Sequence, residues 1–358
     1  MLRPLLIGLA AATFCAAPMA HAAEPSINAV KAAIDNYVRP AYAAFAQRSV
    51  AAAKTMEALC QAPSPDRLAA AQDAFMQAAG AWSFIEPVRI GPITEDNRLE
   101  RLLFWPDRRS RGLKQVQGIL AGKDETAASL ASLQKKSVAM QGFGALEFIL
   151  FGTGSEALGQ DGASFRCAYG QAVADNIAQI SSAVSDEWAS QDGIAGLWTA
   201  PSPDNPLYRD DAEAVSELFD ILVHGLEMVR DVRIDGFLGE EPADDRPKRA
   251  LYWRSGQTIA SIRQNLGGML AVYDGAGLGD NLGDDAEWID GSIRFEFANL
   301  ERALSDLDAP IAELLADETA RGRIVYARIV TSGLSDLVGT GLSGEYGLTA
   351  GFSSLDGD

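Results

Sequence analysis

Glu147 stands inside an apolar run, QGFGALEFILFG (residues 141–152), with Phe148, Ile149 and Leu150 behind it and no charged neighbour. A carboxylate in such a place must be hydrogen-bonded, paired or metal-bound, because an isolated buried charge is too costly to keep. A similar cadence recurs in LVHGLEMVRD, residues 222–231, where His224 and Glu227 are three apart. Residues at that spacing share one face of a helix. They could ligate one cation together, with acids from facing helices completing the shell. The other reading is that His224 packs against a neighbouring helix while Glu227 pairs with Arg230.

The chain holds two histidines, His21 and His224, and the first falls in a leader segment described below. One imidazole is then left, which excludes a zinc-protease helix with its two histidines four apart. No nucleophile elbow is present to partner His224 in a Ser-His-Asp triad. Cysteine catalysis would need a free, activated thiol. What can be built is a carboxylate-rich site with at most one imidazole.

A second chemical feature is WSFIEPVRIGPITEDNRLERLLFWPDRRSRGLKQ, residues 82–115. It carries Arg89, Arg98, Arg101, Arg108, Arg109 and Arg111 in a chain of formal net charge −19. Interleaved with Glu86, Glu95, Asp96, Glu100 and Asp107, these arginines can form ion pairs that pin an irregular loop on the fold. Alternatively some of Trp82, Glu86, Arg89, Asp96, Arg98, Arg101 and Trp105 bind an anionic group such as a carboxylate at the mouth of a cleft.

The elements that must position these residues are helices. Ile27, Val30, Ile34, Val38 and Tyr42 recur at three or four residues, with Pro40 expected to kink or break the helix. Ser64 and Pro65 mark the next start. Phe165, Tyr169, Val173, Ile177, Ile180, Val184 and Trp188 form the longest stripe, capped by Ser164. Further stripes run through Leu218 to Val229, Ile259 to Met269 and Leu300 to Leu314, and strand-like alternation is scarce. The expected class is all-α, as two antiparallel helical bundles over 23–190 and 209–358 joined by a Gly/Pro/Ser-rich linker at 191–208. The acidic, glycine-rich stretch 274–292 lacks the ligand spacing of a calcium loop. Gly339-Thr340-Gly341-Leu342-Ser343-Gly344 spells a dinucleotide fingerprint without the strand that would make it one.

Residues 1–22 read as a secretory signal peptide, with an apolar run from Leu5 to Ala17 and the small-residue site Ala20-His21-Ala22. Bulky Phe14 makes Cys15 a poor lipoprotein site. No transmembrane segment is expected. The acidity and the lack of a basic patch argue against nucleic acid. Cys60 and Cys167 remain after the leader; in an oxidising compartment they form a disulfide, or else stay as two buried thiols.

The leader, the helical two-part chain, Trp82 to Gly91-Pro92, Phe104-Trp105-Pro106, GFGALEFILFG and the ending GFSSLDGD resemble the imelysin-like proteins over essentially the whole mature chain. The resemblance implies two helical bundles related by an internal repeat, a periplasmic place, a link to iron uptake, and an older classification among metallopeptidases. Its signature, Gly-x-His-x-x-Glu, falls on Gly142 and Glu147, but Gly144 stands where the histidine belongs. Glu147 is the implied metal ligand, and His224 with Glu227 is the repeat-related counterpart. Loss of the imidazole weakens transition-metal affinity and the peptidase reading. Gly144 then has a packing role, letting a neighbouring helix come close.

The expectation is a protein without catalytic activity that serves iron acquisition. It would bind iron or another divalent metal, an iron chelate, or another periplasmic iron-uptake protein. A metallopeptidase and a purely structural interaction module are the alternatives.

Overall fold

The computed structural model describes residues 25–348 apart from 163 and 281. The leader, Cys15 and the ending GFSSLDGD lie outside the described residues. Those described form helices and loops, with no strand among them.

The first stripe folds as α1 (Ile27–Ala33), a π-helical turn (Ile34–Val38) and α2 (Arg39–Gln61), in one continuous path. Pro40 therefore neither breaks nor ends the helix. Its ring crowds the carbonyl four residues back and it has no N–H to give. The wider π turn just before it takes up that mismatch. Ser64 caps α3 (Pro65–Ile85) by accepting the Arg67 N–H. An irregular segment with α4 (Arg98–Leu102) follows, then α5 (Arg111–Gly122), α6 (Leu130–Leu133) and α7 (Phe143–Phe151). The long stripe becomes α8 (Phe165–Ala189), capped by Ser164 as expected.

The stretch 191–208 is not wholly irregular. It contains α9 (Ile194–Thr199), whose buried Trp198 donates Nε1–H to the Ala214 carbonyl at 2.8 Å. Next come α10 (Asp211–Glu227), which runs into a second π turn (Met228–Ile234), then α11 (Thr258–Ala276). The chain continues through α12 (Glu287–Leu304), α13 (Ile311–Ala316) and α14 (Glu318–Asp336). Helix α2 packs mainly on α8 and α3, α3 on α11, and α12 on α14. The buried side chains make one continuous cluster. A disulfide, Cys60–Cys167, ties the end of α2 to the start of α8.

Candidate functional site

The site is set by how α7 is seated. A Cβ on Gly142 would lie 2.1 Å from the Leu102 carbonyl oxygen, so only glycine permits this approach of the two backbones. With its N-terminus held there, α7 presents Gly144 and Glu147 to a cavity of about 350 Å³. The opposite walls come from Leu103–Asp107, the second π turn, and the loop at 248–254.

The buried Glu147 carboxylate finds its partners on that loop. Its Oε1 accepts the backbone N–H groups of Arg254 (3.1 Å) and Ser255 (3.0 Å) and the Ser255 hydroxyl (2.9 Å). No hydrogen bond reaches Oε2 from a described residue. Burial pushes the Glu147 carboxyl above the usual range, and the Ser255 bonds with the nearby Arg254 charge offset this only in part. Oε1 thus fastens α7 to a turn in which Tyr252 holds φ +57°, a conformation most side chains avoid.

The packing role expected for Gly144 is not what the structure shows. A Cβ there meets nothing within 4 Å, because the position opens onto the cavity; the close approach belongs to Gly142. Gly144→Ala is accordingly expected to raise stability by up to about 1 kcal/mol, the helix-propensity difference, in a urea melt. A decrease would mean that a neighbour occupies that space.

Charges around the cavity are unevenly matched. Each lining carboxylate is engaged. Asp107 accepts the Arg111 N–H at 2.7 Å, Asp231 accepts two bonds from Arg230, and Asp235 faces Arg328 at 3.4 Å. Arg108, Lys248, Arg249 and Arg254 also line it, and none makes an ion pair with a described carboxylate. The Arg254 guanidinium lies 4.3 Å over the Trp253 ring and 5.3 Å from Phe148. Its burial lowers its pKa, against the pull of Glu147.

Of the residues expected to bind an anion, Trp105 lines this cavity, while Trp82, Glu86, Arg89, Asp96, Arg98 and Arg101 do not. Trp82 is fully buried in the core. Glu86 accepts Arg89 at 2.7 Å and pairs with Arg233. Arg98 reaches Glu187 at 2.9 Å, and Arg101 donates to Gln141 (3.0 Å) and Asn176 (2.8 Å). Asp96 is exposed with φ +51°. These interactions fasten the irregular segment to the bundle, the first of its two readings.

His224 and Glu227 lie on α10 and do not line the cavity. The His224 Nε2 and one Glu227 oxygen are buried without a hydrogen-bond partner, and Arg230 gives its guanidinium to Asp231 instead of bonding Glu227. Among the described residues no three His, Cys, Asp or Glu side chains gather where they could hold a metal ion. With Oε1 of Glu147 already taken, this donor set does not fit a resident metal.

Helical periodicity and motif spacing do not point to the loop that completes the site. RPKRALYWR, residues 246–254, nevertheless concentrates four cations and two aromatics in an acidic chain, and that contrast is the signal that could have found it.

Comparison with known proteins agrees with this helical frame. An imelysin-like protein from Psychrobacter arcticum superposes with a TM-score of 0.75 at 22% identity, covering 91% of this chain and 97% of that one. The protein named Iron-regulated protein A of Synechococcus elongatus is 23% identical over 325 residues, 85% of this chain and 82% of its own. The sequence profile of the family described as Imelysin matches residues 38–332. Since that match runs from the end of the first π turn to the last third of α14, enclosing every wall of the cavity, the chain belongs to the imelysin family.

Proposed function

We propose that this protein is a non-catalytic periplasmic component of iron acquisition that binds iron as an anionic chelate, not as a bare ion. The supporting observation is the cavity's charge imbalance: Asp107, Asp231 and Asp235 are each engaged by other residues, while Arg108, Lys248, Arg249 and Arg254 form no ion pair with a described carboxylate, Arg254 feeling Glu147 only at longer range. Cations without an ion pair on a concave surface of mixed polar and aromatic lining suit a ligand that brings its own negative charge. The iron connection is carried by the name of the cyanobacterial relative, Iron-regulated protein A. Hydrolysis by activated water needs a firmly held metal with an open position. One carboxylate with a single free oxygen and a glycine at 144 do not supply the ligands.

The test is calorimetric titration with ferric citrate, ferric dihydroxybenzoate, and ferrous and zinc ions. At least one ferric chelate should bind saturably, and Lys248→Ala/Arg254→Ala should weaken it by about tenfold or more for each charge-assisted hydrogen bond removed. Bare ions should give no saturable heat that Glu147→Ala removes. Saturable ion binding abolished in Glu147→Ala, or no binding of any chelate, would overturn the proposal.

A further inference from the structure

We infer that the part of the ligand entering this cavity is a planar aromatic ring bearing ionisable oxygens, the catecholate or salicylate class of chelating group. This rests on the chelate-binding reading above and narrows it. Phe104, Trp105, Tyr252 and Trp253 all contribute to the walls. Aromatic faces bind rings by offset or edge approach, whereas they give little to a small aliphatic acid such as citrate.

The polar groups fit the same ligand. The Arg254 guanidinium, 4.3 Å over the Trp253 ring, makes no side-chain hydrogen bond to a described residue, so its N–H groups are available to an oxygen of a ring placed beside it. At the inner end, Glu147 Oε2 can accept a ring hydroxyl, next to the open space at Gly144. A metal-free ortho-dihydroxy or hydroxy-acid ring supplies both an ionised oxygen for Arg254 and an O–H for Glu147; in a ferric complex both chelating oxygens lie on the metal, and the ring is held by the aromatic walls instead.

Size sets how much of the chelate enters. A space of about 350 Å³ admits one such ring with its substituents, but not a ferric complex of three rings. A three-ring complex would insert the carbon edge of one ring, with that ring's two oxygens, the metal and the other two rings left at the mouth or outside. There the exposed Arg108, Lys248 and Arg249 would meet the remaining negative charge.

Calorimetric titration of the full chain with free dihydroxybenzoate, citrate and their ferric complexes tests this. The aromatic ligands should bind about tenfold or more tightly than their citrate counterparts. Trp253→Leu should remove about that factor for the aromatic pair and leave ferric citrate within about twofold. Gly144→Leu provides a second arm, because its side chain projects into open cavity and leaves the helix seat at Gly142 untouched. It should abolish ring binding while the thermal melt stays cooperative. Citrate binding equal to or tighter than the ring, or ring affinity unchanged in both variants, would overturn the inference and leave chelate binding standing. Failure of every chelate would remove both.

Discussion

Glu86→Gln is expected to destabilise the protein by about 3–5 kcal/mol, the range for removing one partner of a buried ion pair. Glu86 is fully buried at the end of α3, and Arg233, only 3% exposed, reaches it from the second π turn. Asn265 on α11 donates to the same carboxylate at 3.1 Å and to the Ser83 carbonyl at 2.6 Å. One carboxylate therefore joins three separated stretches of the chain. Two of Arg233's nitrogens, Nε and Nη1, already lack a described partner, so a neutral neighbour would leave its charge without compensation.

The pH dependence of that effect has a definite sign. Burial alone would raise the Glu86 carboxyl, but Arg233, Arg89 and Asn265 outweigh it and hold the group below the ordinary glutamate value. A group depressed in the folded state contributes stability that is present above its unfolded pKa and lost as pH falls through its folded one. Glu147, raised by burial, runs the other way: its contribution is greatest below the unfolded value and is lost as pH rises through the folded one. Urea midpoints measured from neutral to acidic pH should therefore fall less steeply in Glu86→Gln than in the wild type. In Glu147→Gln they should fall more steeply. Equal slopes in all three would show that neither carboxylate governs acid stability.

Much of the helical frame could be read from the sequence because period is a local property. The stripe from Phe165 to Trp188 and its cap at Ser164 needed no knowledge of distant residues. Pro40 does not break its helix because the π turn that accommodates it depends on how the preceding helix packs, and proline chemistry alone does not contain that. The site was only half legible. Glu147 announced itself as a buried acid, but its partners Arg254 and Ser255 are 107 and 108 residues away. Gly144 could have meant close packing or empty space, and only the tertiary neighbours distinguish these. The arginine-dense segment at 82–115 drew the anion-binding expectation away from the less conspicuous 246–254, although much of it is consumed in holding the loop down.

Replacing both cysteines by serine, or reducing the bridge, is expected to lower stability by about 4 kcal/mol, since cross-links closing loops of roughly a hundred residues restrict the unfolded chain strongly. Cys60 and Cys167 are separated by 107 residues, and the closed loop takes in α3 through α7, including half of the cavity wall. In the folded state the same two ends are already held together, because α2 and α8 share the largest helix interface of the protein. The bridge therefore acts mainly on the unfolded ensemble, and its removal should leave the native site nearly as it was. Guanidinium unfolding with and without reductant should show a lower midpoint and a steeper denaturant dependence, as an unlinked chain exposes more surface on unfolding. Chelate affinity, measured below the onset of unfolding, should stay within about twofold, and the relative acid sensitivity of wild type and Glu86→Gln should persist, since the bridge and the buried ion pair share no partner. A cysteine-free variant that unfolds at the wild-type midpoint would mean that the unfolded chain is already confined between these residues. One that loses its ligand while still folded would mean that the bridge shapes the cavity directly.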